Sequence, residues 1–488
     1  MKPFGLARAQ RNRHSATVQP PYAKALLGLT LALVMGAPAL AETLDFSQCV
    51  DLALKQNPGL AASKAQIAQA EAAVNQAKGT RSPKITLSLN GVRTNDALNA
   101  FGLKLGQRNA SFADFGFADF LSQMPGLLGG TVPPQQLLAT QPNALNHPDA
   151  VTNFNTRIEA AMPLYTGGMI EGYVTQAQSY VQAAQNGDQA ARQQVIFHVL
   201  QAYDGAHAAR AYVEVAKQGE VAAQAYVKTI DSLVKQGVVV KSDLLTAQIF
   251  LENVRIQLKQ AQNGADSAVE QLHLLLGMPL SEPLDIGPRV EPSLLPGQVT
   301  DLREQALANH PGINAMRAQL AAADGNIQVA KSGRYPQVGV MLRQDWNDKA
   351  LGFGSSSYTV GAQMSWNVFD AGVTNSAVNR ATAGKLELAS RLQEAESGVA
   401  YQVGDAMRKA DEAQHRLAVH DLSVQQAQEA VNLFEKRYQN GVTTLVELLA
   451  ARTQLDKAKA DRVAAQYDLA VQRAAVRLAV GNLDPDLK

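Results

Sequence analysis

Hydrophobic and polar positions change period at two prolines. Ahead of Pro83 and Pro336 the apolar residues recur at helical spacing, and directly after each proline they alternate. Ile85, Leu87 and Leu89 are set against Lys84, Thr86, Ser88 and Asn90. That period of two predicts a strand with one apolar and one polar face. A partner run sets Phe154, Ile158, Ala160, Met162 and Leu164 against Asn153, Asn155, Arg157 and Glu159. Further along come Val338, Val340 and Leu342, then Tyr358, Val360, Ala362, Met364, Trp366 and Val368 against Thr359, Gly361, Gln363, Ser365 and Asn367. Four strands are therefore expected, over about 83–93, 152–165, 336–346 and 357–369. Proline suits a strand start and ends a helix. Runs of this length fit a tilted membrane strand, although a half-exposed soluble sheet alternates in the same way.

The helical stretches separate those two readings. No proline interrupts 168–236 or 372–440, so each predicts one helix about 100 Å long at 1.5 Å per residue. Val424, Ala427, Val431, Phe434 and Tyr438 recur at alternating steps of four and three, a seam narrower than the face of a globular helix. Gly237 and Gly441 break these helices, and shorter return helices over 242–277 and 444–481 end at Gly277 and Gly481, as expected of glycine just past a helix end. Helices without a thick apolar face must pair with one another and keep the other face in water.

The chain is also written twice. An offset of 253 residues carries Asn57-Pro58 onto His310-Pro311, Ala77-Lys78 onto Ala330-Lys331, and Arg81 and Pro83 onto Arg334 and Pro336. An offset of 204 carries Leu164-Tyr165 and Gly168 onto Val368-Phe369 and Gly372, and Asp243-Leu244-Leu245 onto Glu447-Leu448-Leu449. Ungapped self-similarity over tens of residues marks a structural repeat. Residues 42–277 form the first copy, 278–298 a linker and 299–488 the second. The change of offset locates an insertion over about 96–150, in which Phe101, Phe112, Phe115, Phe117 and Phe120 sit among Gly, Pro and Asn; it is read as an external loop capping or lining an outer mouth, with a folded plug or a receptor surface as open alternatives.

Composition and charge narrow the class. Only 6% of the 488 residues are aromatic and 46% are hydrophobic, which suits thinly packed helices and excludes a disordered chain. A formal charge of +1 implies no surface for nucleic acid. Residues 1–41 carry Lys2, Arg8, Arg11, Arg13 and Lys24 with no acid, then an apolar run, then Ala39-Leu40-Ala41. This is the make-up of a secretory signal peptide. Cys49, the single cysteine, excludes an internal disulfide and is read as a buried thiol. No other apolar run reaches the length of a membrane helix, so strands would have to do any crossing. Four strands cannot close a barrel, and an open edge in hydrocarbon would leave backbone groups unpaired, so closure requires several chains.

With these features in place the chain resembles the TolC-like outer membrane efflux protein family. The resemblance rests on Leu52-Ala53-Leu54-Lys55-Gln56-Asn57-Pro58, the twin Pro83 and Pro336, Pro163-Leu164-Tyr165 with Gly168, and Arg437-Tyr438 with Gly441. It implies a mixed α+β membrane fold, in which a homotrimer assembles a 12-stranded outer-membrane β-barrel continued by a periplasmic α-helical coiled-coil barrel. It also implies partners: outer-membrane lipid, a periplasmic adaptor protein and an inner-membrane pump. Substrates would pass passively from the pump to the exterior. The competing expectation is a soluble periplasmic coiled-coil scaffold or adaptor without a barrel.

Candidate residues follow from the same alignment. Glu447 matches the acidic position that the family commonly places at its periplasmic constriction, with Asp243 as its internal counterpart. A ring of such acids would favour cations. Ala450 stands where a second acid would be expected, which weakens the block. Thr444 and Glu447 also have the spacing of a capping box, and Asp243 is placed near a helix N-terminus, so capping and a ring both remain open. Lys235, Gln236 and Gly237 in one turn, with Arg437, Tyr438 and Gly441 in the other, are the adaptor-facing candidates. Tyr358, Trp366 and Trp346 are candidates for an aromatic girdle, although simple packing is the commoner role of an aromatic on a strand. His198 and His207, and His415 and His420, lack the spacing of a helical metal pair, and Asp204 with His207 is read as a surface pair. No cofactor, metal site, phosphate-binding loop or catalytic cluster is expected, and hence no enzyme.

Overall fold

The structure, a computed structural model, describes residues 43–484. The signal-peptide expectation over 1–41 lies outside them. A two-residue strand β1 (Thr43–Leu44) leads into α1 (Phe46–Gln56) and α2 (Pro58–Gly79). Strand β2 (Lys84–Thr94) follows directly on Pro83. The insertion then carries α3 (Ala97–Gly106), a 3-10 turn (Phe112–Phe115), α4 (Phe117–Leu128), α5 (Pro134–Leu138) and α6 (Asn143–Asn146). The segment read as a loop is thus a set of short helices. Asp96 caps α3 and Asp114 closes the box of the 3-10 turn, polar residues whose role is local and easily missed in a Gly- and Pro-rich stretch.

Strand β3 (Val151–Tyr165) returns to α7 (Met169–Lys235), which turns into α8 (Lys241–Leu276). A two-residue strand β4 (Asp285–Ile286) in the connecting stretch pairs in parallel with β1. The second half holds α9 (Val299–Asn309), α10 (Pro311–Ser332), β5 (Gln337–Asp348), β6 (Ser356–Ser365), α11 (Val373–Gln439) and α12 (Leu445–Val480). Strand β6 stops at Ser365, so Trp366 to Phe369 lie past its end.

Element lengths agree in pairs. Helices α1 and α9 have 11 residues each, α2 and α10 have 22, α7 and α11 have 67, and α8 and α12 have 36. Gly168 and Gly372 open the long helices at the same φ of 87° and ψ of 7°, a conformation that a side chain would strain. All four turn glycines after α7, α8, α11 and α12 close in the same way. After α7, for example, Gly237 N–H reaches Val234 O at 3.0 Å and Val238 N–H reaches Leu233 O at 2.9 Å, the Schellman pattern that satisfies the last carbonyls of a helix.

Packing is helix against helix in thin layers. Helix α10 packs on both α7 and α11, α2 lies on α7, and each long helix pairs with its return helix. One apolar cluster gathers Cys49, Val50 and Ala53 of α1 with Val199, Leu200 and Tyr203 of α7 and Leu272 and Leu276 of α8. Another joins Leu302 and Ala306 of α9 to Val403 and Ala410 of α11 and Val476 and Val480 of α12. The small residues permit close approach: the Cβ positions of Gly172 in α7 and Gly325 in α10 lie 2.8 and 2.6 Å from each other's carbonyl oxygens. Cys49 is buried and unpaired, and burial pushes its thiol up to about 12.

Candidate functional site

The four long strands form one antiparallel sheet in the order β2-β3-β5-β6, with β2 and β6 as unpaired edges. Register decides what each face carries. Arg157 stands opposite Asp345, Glu159 opposite Arg343 and Asn155 opposite Asn347. Lys84, Thr86, Ser88 and Asn90 of β2 share that face through their pairing with β3, as do Ser357, Thr359, Gln363 and Ser365 of β6 through β5. Its centre is a connected polar ladder. The Nε of Arg157 donates to Asp345 Oδ1 at 2.7 Å, and Arg343 Nε lies 3.0 Å from Asp345 Oδ2. Asn155 Nδ2 donates to Asp345 Oδ1 and to Asn347 Oδ1 at 3.1 Å each, and Asn153 Nδ2 donates to Asn347 Oδ1 at 3.1 Å.

On the opposite face stand Ile85, Leu87, Leu89, Ile158, Leu342, Tyr358, Val360 and Met364. Ile85 is 73% exposed, Leu87 69% and Val360 71%. A soluble sheet buries its apolar face, whereas here that face lies open, and on the polar side Asn153 is covered by Gln107 of the insertion. An apolar face of this extent on one side of a sheet marks a surface that another phase or another chain must cover. The girdle candidates fall at different ends of it. Trp346 packs edge-on to Phe353 at 5.3 Å near the β5–β6 turn, with Tyr358 close by in the register, whereas Trp366 sits at the helix end and donates from Nε1 to Arg334 O at 3.1 Å.

At the far end of the long helices two turns come together. Ile230 of α7, Ala247 of α8 and Leu445 and Leu449 of α12 form a buried cluster, with Tyr226, Leu244 and Tyr438 packed against it. Glu447 is exposed, and its carboxylate accepts from the hydroxyls of Thr443 and Thr444 and from Thr444 N–H at 2.9 Å, while its own N–H donates to Thr444 Oγ1 at 3.3 Å. This is a complete capping box. The Thr443 hydroxyl first, then the Thr444 amide and hydroxyl, hold the Glu447 carboxyl below its usual range. Asp243 is half-buried in the first turn of α8 and has no such box, because Val240 stands where Thr444 stands in the second half.

Around the turns Lys235 pairs with Asp231 at 2.6 Å, Gln236 caps α7, and Gly237 and Gly441 adopt φ of 76° and 71° with open space about them. The guanidinium of Arg437 lies 5.8 Å from the Phe434 ring centroid. Tyr438 turns into the junction between the hairpins, where burial, and then the Asp243 carboxylate, push its hydroxyl up.

Sequence reasoning missed a polar network just behind this junction. Arg452, 8% exposed, lies 3.1 Å from Asp456 Oδ1, and its Nη2 donates to Gln218 O. Burial raises the Asp456 carboxyl and lowers the Lys459 amine. Tyr226 of α7 donates its hydroxyl proton to Glu435 of α11. Only the four-residue spacing of Arg452 and Asp456 was visible as a signal. The surface reading of Asp204 and His207 is corrected. Asp204 is buried, and Arg289 from the segment after α8 holds it, with Nη2 3.0 Å from Asp204 Oδ2 and 2.7 Å from Gln466 O. The connecting segment covers α7 at that level.

Among the described residues no helix is long and apolar enough to cross a membrane. No group of three or more His, Cys, Asp or Glu residues is placed to hold a metal ion, again among the described residues.

Residues 49–278 and 302–482 match the family described as outer membrane efflux protein. The alkaline protease secretion protein AprF of Pseudomonas aeruginosa is 24% identical over 60% of this chain, and the match spans 62% of AprF's own length. The pyoverdine export outer membrane protein OpmQ of Pseudomonas aeruginosa is 25% identical over 69% of this chain and 71% of its own. The crystal structure of the CmeC outer membrane channel of Campylobacter jejuni superposes with a TM-score of 0.71 at 18% identity, over 90% of this chain and 86% of that one.

Proposed function

The chain belongs to the outer membrane efflux protein family, and on that premise we propose that it is the outer-membrane duct of a tripartite efflux or type I secretion system. Three copies join β6 of one to β2 of the next, which closes a 12-stranded barrel and removes both unpaired edges. The polar ladder then lines a water-filled bore and the exposed apolar face meets lipid. The paired helix lengths support two structural repeats per chain, so that three copies supply a near-regular ring of long helices carrying the bore into the periplasm.

The observation that carries this reading is the inverted sheet, in which the apolar face is exposed and the polar face is hydrogen-bonded. A soluble coiled-coil scaffold has no use for such a face. Conduction is passive, with energy supplied by an inner-membrane pump through a periplasmic adaptor. The turns at Gly237 and Gly441, with Lys235, Gln236 and Arg437, meet that adaptor. Tyr438 acts from inside the junction, and a Glu447 ring with Asp243 nearby favours cations at the narrow end. Opening separates the two turn-bearing hairpins at the Ile230–Leu445 cluster and the Tyr226–Glu435 contact.

Purification from outer membranes tests the reading. Extraction should require detergent, the oligomer should persist until heated, and planar bilayers should show stepwise conductance. A monomer released by salt that leaves bilayers silent would overturn it.

A further inference from the structure

The insertion after β2 is anchored on the polar side of the sheet. Gln107, just past α3, is buried. Its Nε2 donates to Thr152 O at 2.8 Å and to Asn153 Oδ1 at 3.0 Å. The Cβ position of Gly106 lies 3.7 Å from the Asn347 side chain. Ser355 donates to Gln107 O at 2.7 Å, and Arg108 donates to Ser356 O at the start of β6. The chain leaving edge strand β2 therefore crosses β3 and β5 and is fastened at the opposite edge. Asn153 and Asn347 belong to the same ladder as Arg157 and Asp345, so the crossing lies over the face that the duct reading assigns to the bore.

Beyond this anchor the insertion is a folded unit. A Cβ at Gly116 would fall 2.1 Å from Pro142, Asn143 N–H donates to Asp119 at 2.9 Å, and Lys104 pairs with Asp114. Phe101 packs edge-on to Phe115 at 5.0 Å, and Phe117 stacks on Phe120 at 6.0 Å. Yet Phe112 is 81% exposed, and Phe115, Phe117 and Leu121 are exposed beside it. Asp96, Lys104, Arg108, Asp114, Asp119 and Asp149 are the charged residues between 96 and 150. Lys104 and Asp114 neutralise each other, so little charge opposes the meeting of two copies.

We propose that this phenylalanine face docks against the same face of its sister chains and narrows the outer end of the bore to a dry constriction. The inference rests on the trimeric duct. Symmetry supplies the occupant, since the insertion springs from the edge where a sister's β6 must pair, and copies anchored over one lumen present identical apolar faces to each other. Lipid covers the opposite face of the sheet. Apolar constrictions of this kind gate a pore by excluding water.

The test uses the full-length oligomer. A triple variant, Phe112→Ser, Phe115→Ser and Phe117→Ser, should raise the mean conductance in cargo-free planar bilayers by about threefold or more once the dry constriction is wetted. Separately, Phe112→Cys treated with a short bismaleimide should join chains into covalent dimers on a denaturing gel, since each chain then offers one reactive thiol. The parent, whose single Cys49 is buried, should give none. Parental conductance from a triple variant that still forms the heat-dissociable oligomer overturns the proposal, as does Phe112→Cys that fails to cross-link in such an oligomer. If exported cargo rather than sister chains covers the phenylalanines, cargo-free conductance stays parental, which also overturns it. In those cases a conducting parent leaves the duct reading standing. A parent that neither oligomerises nor conducts removes both.

Discussion

Asn57 and His310 do the same work at the heads of equal 22-residue helices. Asn57 Oδ1 accepts the Gly59 N–H at 2.8 Å, and His310 Nδ1 accepts the Gly312 N–H at 3.1 Å. Both residues hold ψ at 121°, with φ of −65° and −62°. The difference is chemical, because an amide oxygen accepts at any pH whereas a ring nitrogen accepts only while unprotonated.

That difference makes the second half acid-sensitive. Burial holds His310 below its ordinary 6.5, so the folded chain binds this proton less readily than the unfolded chain. Its contribution is complete above about 6.5 and is lost as pH falls from there toward the folded value. Loss of a cap costs about 1 kcal/mol. His310→Asn should keep the cap and remove this part of the acid dependence. Thermal denaturation at about pH 7.5 and about pH 5.5 should show a smaller drop in Tm for the variant. Equal drops would dismiss the cap as a source of the acid sensitivity.

Glu447 serves a cap and, in the proposed ring, a pore charge, and the two roles separate by substitution. Glutamine completes a capping box as glutamate does. Glu447→Gln should therefore keep the box, lower Tm only slightly through the lost charge at the helix N-terminus, and lower the cation-to-anion permeability ratio by about twofold or more. Thr444→Ala should do the reverse, costing about 1 kcal/mol of stability with the charge kept. Reversal potentials in a salt gradient read the first effect, and denaturation reads the second.

Adjacent residues of β2 should differ sharply in what they tolerate. Leu87→Lys puts a charge on the apolar face and, in a bilayer, costs about 2–4 kcal/mol near the midplane. Thr86→Lys places the same charge on the polar face opposite Glu159, where it should be nearly neutral. The yield of heat-dissociable oligomer from outer membranes should fall for the first variant and hold for the second. The opposite order would mean that the sheet is turned the other way round.

The contact of α7 with α10 depends on two residues without side chains. A Cβ at Gly325 would lie 2.6 Å from Gly172 O and 2.8 Å from Gln176 N, and both obstacles are backbone. Gly325→Ala should destabilise the chain by about 1–3 kcal/mol through forced separation of the helices. A lowered Tm with unchanged far-ultraviolet helicity would identify lost packing rather than lost helix.

Much of the architecture was legible because it follows from local periodicity. Pro83 and Pro336 stand directly before β2 and β5, and Gly237, Gly277, Gly441 and Gly481 each close a helix in the left-handed conformation that favours glycine. The alternation of Ile85, Leu87 and Leu89 with Thr86 and Ser88 set the composition of both faces of β2. The helices of the insertion were not legible. Their order comes from contacts such as Gly116 on Pro142 and Gln107 on Asn153, between residues too far apart in the chain for any period to register.

What the sequence determined by itself was therefore the long elements outside the insertion, their order and their two-sided character, since period and turn chemistry act over a few residues. What only the tertiary structure decided was partnership. Arg157 meets Asp345 across 188 residues, Tyr226 meets Glu435 across 209, and Asp204 is buried under Arg289 instead of facing water. Such pairs depend on strand register and on which helix faces come together. Both are set by the summed packing of the whole chain, and neither leaves a trace in the neighbourhood of any one residue.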